Sequence, residues 1–124
     1  MLLVVAKDQW LIQNGVGNVG YFTDPIPLGK YDRVSMHLLV SDLTTPSVPG
    51  NVALTMQPQV ANSVSLGFVD AGSPVSVGAA SATPSTEVSS VVGACLRFEF
   101  RMTVVTDAFQ FKGLFDAHVL LDKA

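Results

Sequence analysis

The chain has 124 residues, the length of one domain, with ten Gly, seven Pro and a net charge of −3. Charged residues make up only 14%, well below the ~25% usual in globular domains, so a surface covered in part by partner subunits is expected. The seven basic residues are scattered, which excludes the basic patch of a nucleic-acid binder, and the single cysteine excludes an internal disulfide.

The opening Met1–Ala6 run is apolar but short and ends at Lys7-Asp8. It lacks the layout of a signal peptide, and no stretch approaches the ~20 apolar residues of a membrane helix. A soluble protein with no membrane partner, made in a reducing cytoplasm, is the expectation. Leu2–Val5 and Trp10–Gln13 read as strands broken near Lys7-Asp8, and Val19–Phe22 as a short third piece. Residues 1–25 are thus a possible N-terminal arm or a set of extra strands within a single domain, 1–124.

Pro25 and Pro27 forbid a central strand around them. Val34–Val40 follows, with Val34, Met36, Leu38 and Val40 inward and Ser35 and His37 outward. Leu43–Asn51, holding Pro46, Pro49 and Gly50, is a turn. Val52–Gln57 turns Val52, Leu54 and Met56 inward, and Val64–Val69 does the same with Val64, Leu66 and Phe68. Val75–Val77 and Val88–Val92 are shorter strands. Gly78–Ser90, rich in Ala, Ser and Thr, reads as a long surface loop or arm.

The last third alternates most clearly. Leu96, Phe98, Phe100, Met102 and Val104 face one way, and Arg97, Glu99, Arg101 and Thr103 the other. After Thr106-Asp107-Ala108, the residues Phe109, Phe111, Phe115, Val119 and Leu121 oppose Gln110, Lys112, Asp116, His118 and Asp122. A period of two means extended backbone with one dry and one wet face. The two runs read as a β-hairpin, with Lys112 and Asp116 lying across from the charged stripe. Helix periodicity is absent. The fold expected is an all-β, single-domain jelly-roll or Greek-key sandwich of eight or nine strands.

Chemistry-bearing motifs are weak. Gly15-Val16-Gly17-Asn18-Val19-Gly20 matches the dinucleotide string, but Tyr21–Pro27 after it cannot form the helix that would receive a pyrophosphate, so it reads as a Gly-rich bend. Asp70-Ala71-Gly72 resembles the signature of retroviral-type aspartic proteases. Ala71 replaces that family's hydroxyl residue, however, and Val91-Val92-Gly93 follows too soon for a flap, so a strand-end turn is preferred. His37 and His118 lie on outward strand faces with no converging ligands, so neither a metal nor another cofactor is expected. Cys95 reads as a small buried hydrophobe. Trp10, Tyr21, Phe22 and Tyr31 could form a carbohydrate platform but read better as a plug at the end of a sandwich. Arg97, Glu99 and Arg101 read as a solvated wall of paired charges, with a partner-contact face as the alternative. No catalytic set emerges, and a non-enzyme is expected.

Four segments carry a broader likeness: Ile26–Val34 (IPLGKYDRV), Ser35–Val40, Val52–Gln59, and Gly93–Arg101 leading into the final strand. Together they resemble the small β-sandwich proteins of tailed phages and prophages, the capsid decoration (cement) proteins and related minor virion proteins. Pro58-Gln59-Val60-Ala61 stands where that group has an aromatic-plus-acid pattern. The resemblance implies a virion-surface role: a homo-oligomer, with a trimer favoured, seated on the major capsid protein lattice and made in the host cytoplasm. The apolar N-terminal segment and the 78–90 loop are the expected contacts.

Overall fold

A computed structural model describes residues 1–63, 66–79, 83–88 and 91–123. Its strands are β1 (Leu2–Asn14), β2 (Gly17–Phe22), β3 (Ile26–Pro27), β4 (Arg33–Leu43), β5 (Val52–Ala61), β6 (Val69–Asp70), β7 (Val75–Val77), β8 (Ser85–Val88), β9 (Cys95–Val104) and β10 (Gln110–Asp122). They form two antiparallel sheets. The first runs β1-β10-β4-β8; in the second, β9 and β5 lie at the centre with β2 and β3 along one edge and β6 and β7 along the other. β2 and β3 pair with successive parts of β9, and β6 and β7 with successive parts of β5, so each pair acts as one interrupted edge strand.

With β2–β3 and β6–β7 each counted as one strand, chain order switches sheets at every connection except that from β5 to β6, the interleaving of a double Greek key, so the fold is a jelly roll. The period-two pattern explains the core. Val34, Met36, Leu38, Phe111, Phe115 and Val119 from one sheet meet Leu54, Met56, Leu96, Phe98, Phe100 and Met102 from the other, all fully buried. The Phe100 and Phe115 rings touch across the sandwich, centroids 5.0 Å apart.

The closing runs are not a hairpin. β9 is flanked by β2 and β5, and β10 by β1 and β4, so they sit in opposite sheets. Alternation says that each run has one apolar face. It does not say whether two such faces lie side by side in a sheet or face to face across a core. Phe109 falls in the crossover between them and is 45% exposed, stacked on Phe111.

Other expectations shift for local reasons. β1 is continuous through Lys7-Asp8, because two register shifts absorb the break and Asp8 adopts φ 48°, its amide donating to Asp116 Oδ1 at 2.6 Å. Residues 1–25 take the form of strands, β1 on β10 and β2 on β9. β5 continues past Gln57 through Pro58. The Pro58 carbonyl accepts from Ala71 N, on the side away from β9, and the nitrogen that lacks a proton points the same way, into the gap between β6 and β7. Ile26–Pro27 does pair, but at an edge. Of Val64–Val69, Val64 and Ser65 lie outside the described residues, Leu66 is 73% exposed, and only Val69 enters a strand. The expected 78–90 loop contains β8, paired with β4, while residues 80–82 and 89–90 lie outside the described residues. Val91 and Val92 are not in a strand.

Glycine explains the dinucleotide-like string. A Cβ on Gly20 would stand 2.2 Å from the Phe100 carbonyl oxygen, so β2 can approach β9 this closely only without a side chain. Gly15 has φ +75° and turns the chain from one sheet to the other.

Candidate functional site

The two outer faces carry the residues that could meet a partner. On the second sheet, cross-strand register puts Gln59 opposite Arg97 and also opposite Asp70. Arg97 Nε donates to Gln59 Oε1 at 2.9 Å, and Gln59 Nε2 donates to Asp70 Oδ1 at 3.0 Å. The Arg97 guanidinium lies between two rings, 3.9 Å from the Phe22 centroid and 4.1 Å from that of Phe68. Further along β9, Arg101 pairs with Glu99 at 2.8 Å. Gln57 donates to the carbonyls of Pro58 and Gly72.

The charged stripe therefore pairs within its own sheet. Lys112 and Asp116 lie on the opposite outside of the molecule, on β10, and do not face it. Phe68, expected inward, serves as one jaw around Arg97 instead.

The first sheet's outer face is different in kind. Leu2 (70% exposed), Val4 (58%), Trp10, Ile12 and Leu120 project from β1 and β10, and half-buried Leu39 and Leu114 lie beside them. Leu2 is in register with Leu120, and Trp10 with Leu114. His118 and His37 stand directly opposite each other between β10 and β4, next to Val4. No group of three or more His, Cys, Asp or Glu suited to a metal ion occurs among the described residues. Leu114 and Leu120 occupy the polar phase of β10. Apolar residues out of phase were the sequence signal for this face.

The four aromatics do not form one platform. Tyr21 packs on Phe100 with centroids 5.3 Å apart, and its burial pushes the phenol pKa up. Tyr31 is half-buried against the core, Phe22 belongs to the Arg97 stack, and Trp10 stands on the other sheet. Of the four, Tyr21 and Tyr31 pack against the core. Cys95 is half-buried and bears no disulfide.

Asp70 is exposed at the sheet edge and tied to Gln59. Asp107, 6% exposed, accepts from the Ser47 hydroxyl, the Ser47 amide and Asn51 Nδ2, and so clamps the 44–51 loop to the β9–β10 crossover. That carboxylate is a structural anchor. Two apolar hollows of about 260 Å³ each flank the sandwich, one beside Leu66, Val69 and Val92, the other between β1 and Thr23–Ile26.

No family model and no curated protein matches the chain. Solved structures do. A chain from the structure of infectious bursal disease virus, Gx strain, superposes with a TM-score of 0.54 at 9% identity, over 96% of this chain and 31% of its own length. The Gt-strain structure gives 0.49 at 8% identity, over 96% and 30%. A family two carbohydrate esterase from Cellvibrio japonicus gives 0.35 at 7% identity, over 99% and 33%. This chain thus spans under a third of the length of the Gx-strain chain. What it shares with that viral chain is the fold, an all-β sandwich of two antiparallel sheets.

Proposed function

We propose that this chain is a non-enzymatic structural protein of a virion, decorating a phage capsid by docking on the lattice of its major capsid protein. The observation that carries this reading is the apolar outer face of β1, β10 and β4. A monomer seldom leaves Leu2, Val4, Trp10, Ile12 and Leu120 exposed together on one face of a sheet. A partner of similar shape would remove that surface from water at about 25 cal/mol per Å². The low charge, the likeness to phage decoration proteins and the fold shared with a chain of a virus structure support the same role. Specific interfaces bury about 1,200–2,000 Å² in total, and repetition over a shell multiplies their effect. In this reading the protein works as a homo-oligomer, a trimer by its resemblance, on the outside of the capsid.

The test is co-sedimentation with empty capsid shells, with sedimentation velocity of the free protein alongside. Binding at a fixed ratio per capsid subunit, lost in a Val4→Asp/Ile12→Asp double variant that remains folded, is the expected result. A monomer that never pellets with shells, or a variant that binds as well as the parent, overturns the reading.

A further inference from the structure

We propose that Arg97 is the receptor for a side-chain carboxylate, aspartate or glutamate, presented by a partner protein at the outer face of the second sheet. The proposal is independent of the apolar face on the first sheet and of the virion reading.

The geometry begins with rotation. A surface arginine normally loses much side-chain entropy when it binds, and that cost weakens exposed ion pairs. Here the loss is taken in folding. Phe22 and Phe68 hold the guanidinium plane from both sides, and Gln59 holds Nε within that plane. Gln59 is itself oriented, because its amide nitrogen donates to Asp70 and its oxygen is left to accept from Arg97. Phe22 comes from β2, Phe68 from the segment before β6, and Arg97 from β9 between them. The clamp thus spans both edges of the sheet.

Among the described residues, the Nη1 and Nη2 nitrogens donate to no protein acceptor. The neighbouring carboxylates are both engaged elsewhere, Asp70 with Gln59 and Glu99 with Arg101. The two arginines and two acids of this cluster balance, so the site attracts a ligand through directed hydrogen bonds more than through a broad positive field. That favours shape over charge. A carboxylate is planar and meets two N–H groups of a guanidinium in one plane. A tetrahedral phosphate would send oxygens out of that plane, toward the electron-rich faces of the rings. Arginine and aromatic side chains are also the groups that dominate protein–protein hot spots.

The experiment is NMR of the Arg97 guanidinium in the full chain, titrated with acetate, phosphate and chloride at matched ionic strength. Acetate should shift the Nη signals saturably, and chloride should not. In the parent, acetate should also shift the backbone amides of Leu96 and Phe98 saturably; Arg97→Lys keeps the charge but not the fork and should abolish that saturable amide response. Phe68→Leu opens one side of the clamp and should weaken binding about threefold. Equal shifts with chloride, tighter binding of phosphate than of acetate, or an unchanged response in Arg97→Lys overturns the proposal. N-acetylglutamate amide should bind at least as tightly as glucuronate; a clear preference for glucuronate overturns the assignment to a protein side chain. The wild-type anion series decides by itself if a variant fails to fold.

Discussion

The two outer faces of this sandwich obey one strand rule and end in opposite chemistry. On the second sheet, Gln59 bonds to Asp70 and Arg97, and Glu99 pairs with Arg101, so the half-buried outer sides of β5 and β9 hold their charges in hydrogen bonds within the sheet. On the first sheet, Leu2, Val4, Trp10, Ile12 and Leu120 stand where polar residues belong, and among the described residues each keeps about two-fifths or more of its surface exposed. Alternation settles which side of a strand is dry. The composition of the other side settles whether that side meets water or a neighbour.

Both faces depend on one core, so the largest effect comes from breaking what they share. Phe100 lies fully buried between the sheets, touching Tyr21 and Phe115. Phe100→Ala should cost about 3–5 kcal/mol and lower the urea midpoint sharply, with loss of both faces in a single transition. Gly20→Ala comes next and strikes the polar sheet alone. Its methyl would stand 2.2 Å from the Phe100 carbonyl oxygen, so β2 must move off β9. A loss of about 1–3 kcal/mol is expected, with faster hydrogen exchange in β2 and unchanged protection in β4 and β10.

Much of the fold was legible in the residues, for a physical reason that also marks the limit. Every inward residue expected in Val34–Val40, Val52–Gln57 and Leu96–Val104 is buried, because burial repeats with the strand period. The pairing of the last two strands was not legible. Phe98 and Phe100 need only an apolar surface opposite, and Phe111 and Phe115 supply it equally well beside them or across from them. The Arg97 cluster was half legible. Arg97, Phe22 and Asp70 each stood out, but in three separate motifs, and only the pairing of β9 with β5 and of β5 with β6 brings Gln59 between them. The apolar outer face left a plainer mark in Leu114 and Leu120, which break the phase of β10.

Substitutions confined to the outer faces sharpen the contrast. Val4→Ser together with Ile12→Ser should change folding stability by only about 0.5 kcal/mol per site, since both side chains already meet water in the isolated chain. The same pair should abolish association with capsid shells in a sedimentation assay. Glu99→Gln on the opposite face removes the charge that pairs with Arg101, a partly exposed ion pair of the kind worth about 0.2–1 kcal/mol. It should leave shell binding unchanged. A pair of results in which both variants weaken binding equally would show that the apolar face has no special part in assembly.

The smallest effect expected is set by pH, at the rim of the apolar face. Arg33 on β4 donates to Asp122 on β10 through Nε at 2.6 Å and through its terminal nitrogen at 2.7 Å. Those hydrogen bonds hold the Asp122 carboxyl below the usual carboxylate range, partial burial opposes them, and the charge of Arg33 adds to them. A carboxyl whose pKa is depressed by folding stabilises the fold at any pH above its unfolded value, about 3.9. That contribution is lost as pH falls through the lower, folded value, because protons then bind the unfolded chain first. Asp122→Asn removes the titration, so its urea midpoint should lie below that of the parent at pH 6 and converge with it in strong acid. A gap of the same size at both ends of the titration would mean that Asp122 acts through packing and not through its charge. Because the pair joins β10 to β4 beside the apolar residues without belonging to them, shell binding at neutral pH should be the same in parent and variant.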